Sequence, residues 1–294
     1  MGLGWVGGQL KKYLTEIKGY KLGEDLLLHD RHSEKCAGDI QEAEIIFIAL
    51  PTPRNHKDGS CDISIVEQGI KKIKGKKIIV IKSTVAPGTT AKFQKKYKQH
   101  KFLFNPEFLT EANAWEDMLH PDRQIVGFLG KNKAAAQLVI ALLPQAPLMS
   151  PGIYGDQELK ISATEAEIIK YAGNIFLARK INWANALAVA TEHLGGNYNN
   201  VRIGFGADKR IGSSHLNVDH GGYRGFGGYC FPKDLDGFMG FAKQEKLKDV
   251  LALLQADRDF NENLLKEQGL SLEEVSKHID VVNLIIKNKK SNKN

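Results

Sequence analysis

The sequence predicts an α/β protein in which a parallel-sheet domain is followed by a helical domain built on one long central helix. Two observations carry that prediction. Through the first 160 residues short β-branched runs alternate with helical stretches, the pattern of a doubly wound parallel sheet. From Ser162 the pattern changes to one helical segment reaching Leu194, opened by two overlapping capping-box signatures, Ser162-x-x-Glu165 and Thr164-x-x-Glu167, and closed by Gly195-Gly196.

In chain order, Gly2-Leu3-Gly4-Trp5-Val6-Gly7 fits a G-x-G-x-x-G turn, where Gly2, Gly4 and Gly7 permit a tight bend and close approach of a pyrophosphate to a helix N-terminus. Asp30 ends the next predicted strand, where a carboxylate binds adenosine ribose hydroxyls and disfavours a 2′-phosphate, so NAD is expected over NADP. This makes residues 1–160 a Rossmann-like NAD-binding domain. A strand should precede the glycine turn, and only Met1 does so; the expectation is a missing first strand, with either a misplaced start or impaired cofactor binding. Strands are expected at Leu26 to His29, Glu44 to Leu50, Lys77 to Lys82, Phe102 to Phe104 and Gln124 to Phe128. Residues 161–268 form the helical domain, with further helices at Pro232 to Gln244 and Leu247 to Gln268. Residues 269–294 hold a short amphipathic helix or strand, Ser271 to Ile286, and a basic tail.

Composition narrows the function classes. The net charge is +7, but Lys287, Lys289, Lys290 and Lys293 lie in the last eight residues and leave +3 elsewhere, so the basic excess is a solvated end rather than a nucleic-acid or membrane surface. Cys36, Cys61 and Cys230 stand at unrelated spacings with no C-x-x-C pair, which excludes a disulfide framework or zinc ribbon and fits a reducing compartment. No apolar run approaches the length of a membrane span. A soluble, cytoplasmic protein with no nucleic-acid, membrane or metal partner is expected.

Two clusters carry chemistry. In Gly225 to Asp234, Pro232 suits a first helical turn, so Cys230 is expected just before a helix N-terminus, where the helix dipole and Lys233 favour thiolate. Asp234 follows one turn later, close enough to share a site with the thiol. Cys36 and Cys61 lack such neighbours and read as small apolar residues. On the long helix, Lys170 and Asn174 are spaced i, i+4 on one face amid Ala166, Ile169, Ile175 and Phe176, where a lysine and an amide need partners.

Taken in order, the glycine turn, Pro51-Thr52-Pro53 with Asp58-Gly59, Lys82-Ser83-Thr84-Val85-Ala86-Pro87-Gly88-Thr89, Asn105-Pro106-Glu107-Phe108-Leu109, Pro121-Asp122-Arg123, Thr164 to Glu167 with Lys170 and Asn174, and Gly227 to Asp234 resemble the UDP-glucose/GDP-mannose dehydrogenase family along residues 2 to about 265. The resemblance implies oxidation of a nucleotide-sugar C6 alcohol to the carboxylate with two NAD, UDP-glucose first and GDP-mannose as runner-up. It implies that Cys230 attacks the intermediate aldehyde to give a thiohemiacetal and then a thioester that water hydrolyses. It further implies that Lys170 and Asn174 steady the oxyanion, that Asp234 and a Thr84-held water manage protons, and that Glu111 positions the hydrolytic water. Glu107 would lie beside the nicotinamide or sugar. Thr52, Thr84, Glu111 and Lys233 would join the glycines and Asp30 around NAD, in a cleft between the two domains. By the same resemblance the chain lacks the family's C-terminal nucleotide-sugar-binding domain, and the long helix is expected to support a homodimer. Two rivals stand beside this reading: a catalytically impaired remnant that binds NAD or a nucleotide sugar, and a 3-hydroxyacid or 6-phosphogluconate type dehydrogenase, which needs no cysteine.

Overall fold

The computed structural model describes residues 1–55 and 59–276. Asp58, the part of Ser271 to Ile286 beyond Ser276, and the lysine-asparagine tail lie outside the described residues. Two compact units are formed, residues 1–55 with 61–170 and residues 59–60 with 171–276.

In the first unit, β1 (Ile45–Ile48), β2 (Ile78–Ile81) and β3 (Lys101–Phe104) run parallel in register, Ile48 opposite Ile81 and Ile81 opposite Phe104; β5 (Gly127–Phe128) closes the β3 edge antiparallel. Alternation along the strands sends side chains to both faces. Ile48, Ile79, Ile81, Phe102 and Phe104 pack with Val66 and Ile70 of α2 (Ser64–Lys71) and Phe93 of α3 (Thr89–Lys96). Val80, Leu103 and Phe128 pack on the opposite face with Leu10 of α1 (Trp5–Lys12), Met118 of α4 (Ala114–Leu119) and Val139 of α5 (Lys133–Leu142). The sheet is therefore covered by helices on both sides, as the continuous apolar runs require.

The expected strand at Gln124 to Phe128 divides. Its first half is β4 (Arg123–Ile125), parallel to β6 (Leu148–Ser150), and its second half is β5, with Val126 N donating to Ser150 O at the change of partner. The expected strand at Leu26 to His29 keeps two isolated bridges, Leu28 antiparallel to Ala37 and Leu26 parallel to Leu22. Between this segment and the edge strand β1 lies a cavity of about 410 Å³ of mixed polarity, lined in part by Lys11, Glu24, Leu26, Leu28, Ile45 and Phe47, so the two are not joined by a ladder. Met1 touches this region, its ammonium donating to Phe47 O at 2.8 Å and its carbonyl accepting from Ala49 N at 2.9 Å. Burial pushes that ammonium down to about 6, against the pull of Asp30 and Cys36.

The second unit is helical. α6 (Ala163–His193) enters it from the first unit, and α7 (Tyr198–Gly206), α8 (Cys230–Gln244), α9 (Lys248–Glu267) and α10 (Leu272–Val275) follow. Phe226, Leu235, Leu254 and Leu265 form its main core with Ala178; Tyr198, Leu216 and Val218 form a second one around Ala184 and Ala188. The caps explain the length of α6. Ser162 and Glu165 form the expected reciprocal pair, Ser162 N to Glu165 Oε2 at 2.6 Å and Glu165 N to Ser162 Oγ at 3.2 Å, and Gly195 ends the helix at φ +73° with Gly196 N bonded to Thr191 O. The second expected box, Thr164 with Glu167, does not form, because Glu167 turns to another helix, as described below.

Candidate active site

The glycine turn is set by close backbone packing. Gly2 has φ +84°, and a Cβ there would meet Ala49 O at 2.5 Å; a Cβ on Gly7 would meet Gly2 O at 1.9 Å. Gly4 is different. It precedes α1 with open space where its Cβ would project, and the first turn of α1 has no side-chain cap and no acidic residue. An uncapped helix N-terminus beside a bare glycine fits a pyrophosphate, so the residues present suit a dinucleotide. Asp30 is tied to the turn, accepting from Leu3 N at 2.7 Å and His32 N at 3.1 Å. Partial burial pushes its carboxyl up, but these two bonds, with Lys35 and His32, bring it below the usual carboxylate range.

The chain then crosses the carboxyl ends of the parallel strands, where ligands of such sheets bind. Thr52 is buried just after β1. Thr84 sits in the loop after β2, half-buried, its carbonyl accepting from Cys61 Sγ at 3.2 Å, which accounts for that cysteine without chemistry. That loop is clamped at its far end by Glu167, which is 0% exposed. Glu167 Oε2 accepts from Gly88 N at 2.5 Å, while Oε1 accepts from Thr90 N at 2.8 Å and Thr90 Oγ1 at 2.6 Å. The carboxylate thus caps α3 from across the fold. Burial pushes its carboxyl up, against the downward pull of those bonds and Lys92.

Glu107, at the end of β3, is mostly buried beside Lys82 at 3.3 Å. Its Oε1 accepts from Phe108 N and Leu109 N, and its Oε2 has no hydrogen bond among the described residues. Glu111 lies four residues on, exposed in a turn. Lys170 is half-buried on α6, with no hydrogen bond or ion pair among the described residues.

In the second unit, the glycine-rich approach brings the chain to α8, whose first residue is Cys230, exposed and not in a disulfide. The sequence places Cys230 just outside this helix; the structure begins the helix on it, with Pro232 in the first turn, where its missing N–H costs nothing. Asp234 is 1% exposed, accepts from Asn174 Nδ2 at 2.5 Å through Oδ2, and pairs through Oδ1 with Lys233. Lys233, Asp234 and Asn174 therefore converge within this unit, and Cys230 stands four residues before Asp234 on the same helix. Among the described residues no cluster of His, Cys, Asp or Glu could hold a metal, and no helix is long and apolar enough to cross a membrane.

Two sequence models of the UDP-glucose/GDP-mannose dehydrogenase family match, the NAD binding domain over residues 29–144 and the central domain over residues 164–263. The chain belongs to this family. Its relatives include a UDP-glucose 6-dehydrogenase of Rickettsia felis, 39% identical over 205 residues, covering 67% of this chain and 43% of the relative. The Bacillus subtilis protein YtcA is 34% identical over 290 residues, covering 94% of this chain and 63% of its own length. Among solved structures, a UDP-glucose dehydrogenase from Pyrobaculum islandicum superposes with a TM-score of 0.68 at 28% identity over 91% of this chain and 68% of that one. The chain thus spans about four to six tenths of the length of these curated relatives.

Sequence reasoning named Lys82, Asn105 and Glu167 within motifs and Gln124 at a strand start, but missed that all four are buried. Lys82, Asn105, Gln124 and Glu167 carry no signature of burial in a single sequence. The one available signal was Lys82 and Asn105 standing at the ends of apolar runs in strands that were correctly expected.

Proposed function

We propose that this chain carries the cofactor-binding and thiol-bearing parts of an NAD-dependent nucleotide-sugar 6-dehydrogenase acting on UDP-glucose. The observation that carries the reading is the buried Asp234, held by Asn174 and Lys233 one turn into the helix that starts at Cys230. A buried carboxylate in such a clamp adds little stability over a well-packed apolar group, which points to a role beyond stability, and an exposed thiol begins the same helix four residues earlier.

On this reading Gly2, Gly4, Gly7, Asp30, Thr52, Thr84, Glu111 and Lys233 serve NAD, which when bound accepts hydride from the sugar. Cys230 thiolate adds to the C6 aldehyde, forming a carbon–sulfur bond; loss of hydride from the thiohemiacetal leaves a thioester, and water cleaves it to the carboxylate and the thiol. Lys170 and Asn174 stabilise the oxyanion, Asp234 and a water on Thr84 carry protons, Glu111 orients the hydrolytic water, and Glu107 lies beside the sugar. The protein acts in the cytoplasm as a homodimer through α6, whose Phe176 and Trp183, 65% and 55% exposed, lie seven residues apart on one face.

The test is NADH formed per sugar consumed, with NAD and UDP-glucose, beside GDP-mannose and Cys230→Ser. About two NADH per UDP-glucose, lost in the variant, is the expected result. No NADH from any nucleotide sugar by folded protein would move the reading to a binding remnant.

A further inference from the structure

Lys82 is an unusual residue to find where it is. It extends β2 by one position, its N–H bonded to Ile48 O, and its side chain runs inward until the whole residue is 5% exposed. Its ammonium meets Asn105 Oδ1 at 2.7 Å and Glu107 Oε2 at 3.3 Å. Asn105, at the matching position after β3, is fixed from behind: its amide nitrogen donates to Gln124 Oε1 at 3.0 Å and Ile125 O at 2.7 Å, so only its oxygen can face Lys82. Glu107 is fixed from the front, where Oε1 accepts two backbone N–H groups and Oε2 accepts none. A polar cavity of about 180 Å³ adjoins the pair, lined in part by Lys82, Glu107, Asp117, His120, Asp122 and Arg123.

This arrangement is a poor stability device. Taking an ammonium out of water is expensive, and a well-packed apolar side chain of similar volume would do as well or better. What the charge gives that an apolar chain cannot is a defined direction for Glu107.

We infer that Lys82 is a positioning residue: braced by Asn105 and Gln124, it holds the Glu107 carboxylate, through Oε2, in the wall of the adjoining cavity, where Glu107 serves as the acceptor for a hydroxyl or water. The inference rests on the dehydrogenase reading only in making that hydroxyl the sugar's or the hydrolytic water's; the positioning itself is independent of it.

The experiment compares wild type, Lys82→Met, Lys82→Gln, Glu107→Gln and the Lys82→Gln/Glu107→Gln double variant. Lys82→Gln can still donate to Asn105 and is the variant expected to fold if Lys82→Met does not. With NAD and UDP-glucose, Lys82→Gln should lower kcat by tenfold or more while KM for NAD stays within threefold, and the double variant should be no worse than the poorer single. A Lys82→Gln enzyme with kcat within threefold of wild type, or a double variant whose losses multiply, overturns the assignment. If folded wild type makes no NADH, the dehydrogenase reading fails by itself, and the positioning is read from the Glu107 side-chain couplings by NMR. Rotamer averaging in Lys82→Gln but not in wild type is then the expected result; one fixed rotamer in both overturns the assignment.

Discussion

Removing the Glu167 carboxylate should unlatch the start of α3. In Glu167→Ala, Gly88 N–H, Thr90 N–H and the Thr90 hydroxyl lose their acceptor, at a site where Thr90 is 0% exposed and Gly88 is partly buried. The hydroxyl can turn to another acceptor, but the two N–H groups are fixed by the backbone. At about 1–3 kcal/mol for each buried donor left unsatisfied, the variant should lose about 2–5 kcal/mol. Glu167→Gln should lose less, about 1–2 kcal/mol: its amide oxygen can still serve Thr90, its NH₂ then faces Gly88 N–H, and the neutral group escapes the burial cost that pushes the Glu167 carboxyl up. Because the chain has two compact units, urea curves need not be two-state, so the measurement is hydrogen exchange at residues 88 and 90 alongside equilibrium unfolding. Loss of protection at those amides, graded Ala over Gln over wild type, is expected. Unchanged protection in Glu167→Ala, or a stability loss under about 0.5 kcal/mol, would refute the latch.

The two inner glycines separate packing from binding. Gly7→Ala should destabilise the first unit by more than about 1 kcal/mol in thermal unfolding, since its Cβ would sit 1.9 Å from Gly2 O. Gly4→Ala, projecting into open space, should keep stability within about 1 kcal/mol yet weaken NAD binding about tenfold or more by calorimetry; equal NAD affinity would mean that the space is not where a dinucleotide approaches. Asp234→Ala removes the acceptor shared by Asn174 and Lys233 and should cost about 3–5 kcal/mol in the second unit. Asp30 sets a pH dependence: with its folded-state pKa below the ordinary 3.8, its contribution is complete above that value and drains away as pH falls through the lowered one. Asp30→Asn should therefore flatten the acid limb of a pH–stability curve and raise affinity for NADP relative to NAD.

Much of this was legible because it rests on local periodicity. The apolar runs ending at Ile48, Ile81 and Phe104 gave the three parallel strands, and the Ser162–Glu165 box and Gly195 gave both ends of α6. What escaped depended on partners distant in sequence. Gln124 to Phe128 read as one strand, yet Val126 hands the chain from one sheet to another, a choice made by Ser150. α7, with Asn199, Asn200, Gly204 and Gly206 in it, has weak helix propensity and is held by burial of Tyr198, whose hydroxyl bonds Leu216 O. At the site, Cys230 and Asp234 were evident from spacing along one helix. The hydrogen bond to Asp234 from Asn174, sixty residues earlier, was not.

β5 lies against the start of α6 so closely that a Cβ on Gly127 would fall 2.6 Å from Ala166 Cβ and 2.7 Å from Ser162 O. Such a seam has a kinetic meaning. It joins residue 127 to residues 162–166, so the intervening chain must be closed into a loop before the contact rewards it, and late formation in folding is the expected result of a refolding experiment. Side chains introduced at Gly127 should then leave the refolding rate nearly untouched and speed unfolding. On that expectation the contact between one glycine and one helical turn acts on the lifetime of the first unit rather than on the ease with which it folds.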